Sequence, residues 1–179
     1  MRRVFALNLI VGVAWAAGAV AQSSPREANP GPELQRLAYF IGTWRTEGEM
    51  KESMFGPAGK LSGTVSHEWV LGKFFYLTRH EEQNPTGKHA SMGVTGYDAS
   101  RQIYIGYSFG GEGGVSRAEG TVSGDTWTWV TEYTVEGRPI KTRSVIKPTS
   151  ATSYDFTWEI APHGDDWTVV QTGRSTKVK

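Results

Sequence analysis

The residues of this chain whose types could carry chemistry are four histidines, a few charged residues on strand-like stretches, and a set of spaced aromatics. The imidazoles are His67, His80, His89 and His163. None stands in a His-x-His pair. His67-Glu68 is followed by Trp69-Val70-Leu71, so the second histidine of a helical zinc motif is missing. Taken singly they are surface or core histidines, and no metal and no cofactor is expected. Cysteine is absent, which excludes a disulfide framework and a thiol nucleophile. Thr86-Gly87-Lys88 ends like a phosphate loop, but Glu82 stands where its first glycine belongs and no helix follows. Gly110-Gly111-Glu112-Gly113-Gly114 reads as a hairpin tip, with a mobile flap as the alternative. No Gly-x-Ser-x-Gly occurs, and no Ser/His/Asp set assembles from spacing.

What remains are polar and aromatic residues in phase on alternating stretches. With Trp44 and Trp69 facing inward, His67 faces inward too. Arg117 and Glu119 are in phase with Val115. Arg143, between Lys141 and Val145, is open to either face. An inward Glu119 needs a cation, because an unpaired buried charge is costly, and Arg117 or Arg143 would supply it. Such a pair is either a structural ion pair near a barrel end or a pocket floor that orients a ligand's polar head. Trp44, Trp69, Tyr107, Trp129 and Trp158 are the large aromatics read as inward, lining a pocket or filling a core. Trp127, read as out of phase with Trp129, is expected to face solvent or a neighbouring loop. The candidate ligand-binding set is therefore Trp44, His67, Trp69, Tyr107, Arg117, Glu119, Trp129, Arg143 and Trp158.

The elements that must position them begin with Leu34–Met50. Pro32 suits a first helical turn, where a missing N–H costs nothing. Leu34, Leu37, Ala38 and Ile41 follow helical spacing, and Gly42 suits the stop. From Thr43 the period changes to two: Trp44, Thr46, Gly48 and Met50 alternate with Arg45, Glu47, Glu49 and Lys51. Further strands are expected over 61–71, 73–82, 89–97, 102–109, 115–122, 126–133, 139–147, 153–160 and 167–174, about ten in all. Their separators are turn-formers such as Asn84-Pro85-Thr86-Gly87. Short connections make neighbours antiparallel, and closing the sheet removes its edges. The expected fold is all-β, a single antiparallel up-and-down barrel with a short N-terminal helix over one end. A two-sheet sandwich is the alternative.

The chain has 179 residues, which favours one domain. Arg2-Arg3, an apolar run to about Val20 and the small residues Ala19-Val20-Ala21 lay out a signal peptide over 1–21. An uncleaved anchor is the rival reading. Residues 22–32 form a polar, proline-bearing linker, 33–175 the barrel domain and 176–179 a tail. The expected location is periplasmic or secreted, with no stable membrane insertion after cleavage. The 19 Lys and Arg nearly balance the 18 Asp and Glu, and no basic run is present, so nucleic acid is not an expected partner.

An ordered set of short motifs resembles the calycin superfamily, the lipocalin and fatty-acid-binding type of barrel, in which a helix precedes a Gly-x-Trp first strand. Here that motif is Gly42-Thr43-Trp44. More closely, Trp69-Val70-Leu71-Gly72 before Phe74, Gly96-Tyr97-Asp98, Glu119-Gly120-Thr121 and the strand around Arg143 resemble a bacterial lipocalin-like family, domain of unknown function 1579. The resemblance spans roughly Glu33 to Arg174. It implies a calycin-like barrel and no assigned reaction. Haem-binding barrels of similar shape carry a histidine late in the chain, and the last strand here has none. The function expected is an exported barrel binding a small apolar or aromatic molecule in its interior. The alternatives are a barrel enzyme, an isomerase or hydrolase using His67 or Glu119 as general base, and a non-catalytic envelope or interaction protein with a filled core.

Overall fold

The computed structural model describes residues 29–135, 137–162 and 164–178. The expected signal peptide, residues 22–28 of the expected linker, and His163 lie outside them. The described chain opens with a short helix, α1 (Pro32–Arg36), which runs directly into a 3-10 turn over Leu37–Phe40. The helical segment ends with Ile41 as its C-cap, and Gly42 stands immediately after it at the stop. It is the first residue of the first strand, with φ of 116°, a backbone conformation that a Cβ disfavours. The glycine is needed there because the chain must swing from the helix over the barrel end into the barrel wall.

Ten strands follow: β1 (Gly42–Met50), β2 (Gly59–Val70), β3 (Phe75–Asn84), β4 (Gly87–Asp98), β5 (Ile103–Gly110), β6 (Val115–Ser123), β7 (Thr126–Val135), β8 (Arg138–Ser150), β9 (Ser153–Ala161) and β10 (Thr168–Lys177). Each pairs antiparallel with the next, and β10 returns to β1, closing an up-and-down barrel. The expected tail is shorter than 176–179, because β10 runs to Lys177. β3 begins at Phe75, since Leu71–Lys73 forms a tight 3-10 turn instead of the start of a strand.

One end of the barrel is plugged. Leu34, Leu37 and Phe40 from the helical segment pack on Trp44, Val65, Tyr76, Tyr104, Trp127 and Tyr154 from the wall. The rings meet edge to face or tilted, with Phe40–Trp127 centroids 5.2 Å apart, Trp44–Tyr154 4.9 Å and Tyr104–Trp127 4.9 Å. Such pairs add to the free energy of area burial. Hydrogen bonds pin the plug to the wall. The Tyr104 hydroxyl donates to the Glu33 carbonyl at 2.9 Å, Tyr39 to the Ser153 carbonyl at 2.7 Å, and Arg36 to the Gly124 carbonyl at 2.7 Å.

Trp127 corrects an expectation. It is 4 % exposed and belongs to the plug. Residues two apart on a strand share a face, so Trp127 and Trp129 both point inward, their rings stacked 6.5 Å apart with 8° between planes. Beyond the plug the interior is not filled. Barrel diameter grows with strand number, and about eight strands already enclose what side chains can fill. Ten leave room.

Candidate functional site

That room is a cavity of about 480 Å³ inside the barrel, reaching from Phe40 at the plug to Glu82, Ser91 and Tyr133 near the other end. Its two sides differ chemically. Strand order puts β3 diametrically across the barrel from β8. The side centred on β8 carries Trp129, Ile146, Phe156 and Trp158. Ser144 pairs in register with Trp129 on one flank and Trp158 on the other, so a small side chain sits between two large rings. On the far flank of Trp129 stands Gly120, where a Cβ would come within 2.6 Å of the indole. Small residues on β6 and β8 thus give the Trp129 ring its place. Phe55, from the β1–β2 connection, folds over the open end against Trp158, ring centroids 4.8 Å apart.

The side centred on β3 is polar. Thr78, His80 and Glu82 follow one another on its inner face, in phase with the buried Tyr76. His67 joins them from β2, its Nδ1 2.9 Å from Thr78 Oγ1 across the strand pair. Ser91 stands beside His80 from β4. Burial, helped by the neighbouring His80 and Lys177, pushes the His67 imidazole down to about 4. Burial likewise holds His80 below its ordinary value, against the opposing pull of Glu82. Both rings are therefore neutral at neutral pH, polar but uncharged. Burial pushes the Tyr76 phenol up to about 12, so it too stays neutral. Glu82 Oε1 accepts a hydrogen bond from the Asn84 amide at 2.7 Å, and its Oε2 lies 3.9 Å from His80 Nε2, beyond hydrogen-bonding reach. Among the described residues no three His, Asp or Glu side chains converge to hold a metal ion.

Residues 29–177 match the family described as protein of unknown function (DUF1579). The chain belongs to the DUF1579 family. The barrel of this DUF1579 chain resembles the crystal structure of Rv2717c from M. tuberculosis, with a TM-score of 0.58 at 12 % identity over 84 % of this chain and 100 % of that one. It also resembles the S-type phycobiliprotein lyase CPES from Guillardia theta, with a TM-score of 0.51 at 11 % identity over 81 % and 92 % of the two chains. At such identities the likeness is one of fold. No curated protein sequence matches the chain.

The DUF1579 barrel brings three of the nine expected site residues together at the cavity: His67, Trp129 and Trp158. Trp44 and Trp69 face inward but belong to the plug and its margin, with Trp44 at 0 % exposure. The other four lie on the outside. Tyr107 is 47 % exposed, on an outer surface shared with Met92, Phe109 and Val115. Arg117 and Glu119 are also external. Glu119 Oε1 meets Arg117 at 2.7 Å and Arg101 at 2.8 Å in a solvated cluster, and these hydrogen bonds hold its carboxyl below the usual range. The phase error came from taking Val115 as inward, whereas it is 67 % exposed. Arg143 pairs outside with Glu159, its Nε 2.6 Å from Oε2 and its guanidinium 4.2 Å from the Trp167 ring centroid. Of the two cations expected for Glu119, Arg117 is its partner, on the outer face, and Arg143 is not.

Sequence reasoning missed His80, Glu82, Thr78, Phe156 and Ser144. The alternation of Tyr76, Thr78, His80 and Glu82 with Leu77, Arg79 and Glu81 is visible in the sequence, but both sets are largely polar, and only the burial of Tyr76 in the structure shows which set faces inward.

Proposed function

We propose that this protein binds a small, largely apolar or aromatic molecule inside its barrel. The observation that supports this is the two-sided cavity: about 480 Å³, with indole and phenyl rings on one side and, on the other, neutral hydrogen-bonding groups with one carboxylate, Glu82, near the open end. That volume falls in the range of small-molecule sites, which are mostly apolar with a few placed polar groups. The polar side offers a ligand partners at His67, His80 and Ser91 without the cost of leaving a buried group unsatisfied. We place the protein in the periplasm or outside the cell, on the layout of its first 21 residues; fractionation of cells tests that location.

The general-base alternative loses one of its two residues, since Glu119 is external. His67, pushed down to about 4, is a poor proton acceptor at neutral pH.

Binding is tested by titrating the chain with neutral aromatic compounds while following tryptophan emission, which Trp129 and Trp158 should report. Ser144→Phe supplies the control. A ring placed between the two tryptophans takes the space a ligand's ring would occupy, and saturable binding should weaken sharply while the fold, followed by circular dichroism, is kept. Equal binding by wild type and Ser144→Phe would move the ligand out of the barrel.

A further inference from the structure

Resting on that reading, we propose that the ligand class is an aromatic or arylalkyl amine, its ammonium group at Glu82 and its apolar body against Trp129, Phe156 and Trp158, and that carboxylates are rejected.

The argument is one of charge. Among the described residues no lysine or arginine side chain lines the cavity; the acidic side chain on its wall is Glu82. Lys177 stands behind the Trp44 ring, 5.0 Å from its centroid, turned to the Tyr39 carbonyl. The cavity therefore offers a carboxylate no cation, only neutral donors beside the carboxylate of Glu82, and a desolvated charge without an opposite charge is costly. A cation meets the opposite situation. Glu82 is 13 % exposed along its side chain and faces the cavity, with Asn84 on one oxygen and, among the described residues, no hydrogen bond on the other, whose His80 neighbour stands 3.9 Å away. His80 is held neutral by burial and leaves that carboxylate without a compensating charge. The indole and phenyl rings across the barrel add faces that attract cations. Position matters as well: Glu82 lies near the open end, so an ammonium bound there keeps contact with solvent while the ring it carries goes inward, towards the plug.

The experiment compares three compounds of one length and shape: phenylbutylamine, phenylbutanol and phenylbutyrate. Each is titrated into the full chain at neutral pH by calorimetry. The amine should bind roughly tenfold or more tighter than the carboxylate, the size of one charge-assisted hydrogen bond, with the alcohol between them. In Glu82→Gln the amine should fall to the affinity of the alcohol, and the alcohol should be unchanged. The wild-type comparison stands even where the variant folds poorly. If phenylbutyrate binds as well as the amine, or Glu82→Gln leaves the amine untouched, the ligand class is wrong while binding inside the barrel survives. If none of the three binds, the barrel-binding reading and the class fall together.

Discussion

The Trp44 indole N–H donates to the Phe40 carbonyl over 2.6 Å, tying the first strand to the last residue of the helical segment. The bond joins the plug to the wall at the point where the chain passes from one to the other. Everything above it, cavity included, depends on that closure.

Trp44→Ala should cost about 3–5 kcal/mol, the usual loss on truncating a buried tryptophan. Trp127→Ala should cost a similar amount, because Trp127 sits in the same cluster. Urea unfolding of the two variants checks this, and a near-wild-type midpoint for Trp127→Ala would contradict its burial. Trp44→Phe keeps most of the apolar volume but removes the donor to Phe40, a loss of about 1–3 kcal/mol.

Stability should fall on acidification through the window set by His67. Its folded value of about 4 lies below the ordinary 6.5, so between those values the unfolded chain binds more protons. Stability is then full above about pH 6.5 and declines as pH drops towards about 4, by something on the order of 3 kcal/mol. His80, lowered for the same reason, acts in the same direction. Denaturation midpoints at several pH values should show a shallower decline in His67→Gln than in wild type. Parallel curves would mean that His67 titrates normally.

Gly120→Ala should disturb the cavity from its edge. The added methyl would meet three atoms of the Trp129 ring at 2.6–2.9 Å. A rigid indole cannot absorb that by a bond rotation within its own plane, so the ring or the strand must shift, at about 1–3 kcal/mol. The expected readout is a change in tryptophan emission together with weaker ligand binding. An unchanged spectrum would show that β6 carries the strain instead.

The two outer ion clusters should behave differently from each other and leave ligand binding alone. Glu119→Ala and Arg117→Ala sit in solvent and should leave the melting temperature unchanged. Arg143→Ala strands Glu159, whose side chain is only 12 % exposed, and should cost about 1–3 kcal/mol. Arg143→Met combined with Glu159→Leu should recover part of that loss. Additive losses in the double variant would indicate that the two side chains act independently.

The sequence by itself determined the closed barrel. Ten alternating stretches with short turns favour closure over the two-sheet alternative, because closure removes both sheet edges, and one short amphipathic helix suits the barrel end. It also determined the inward faces of β1, β2 and β9, where a tryptophan anchors the phase: Trp44, then Trp69 with His67, then Trp158. What only the tertiary structure decided is the phase of β5 and β6 and which side chains line the cavity. β6 presents Ser116, Ala118 and Gly120 inward, small residues that make way for Trp129 across the strand pair, while Val115 and Tyr107 sit outside among other apolar residues. A strand whose inner face is emptied for a neighbour's ring reads backwards when taken alone, and Arg117 and Glu119 were carried inward by that inversion. The polar side was hidden for a related reason. β3 is polar on both faces, and only its position opposite β8 gives His80 and Glu82 an interior to face.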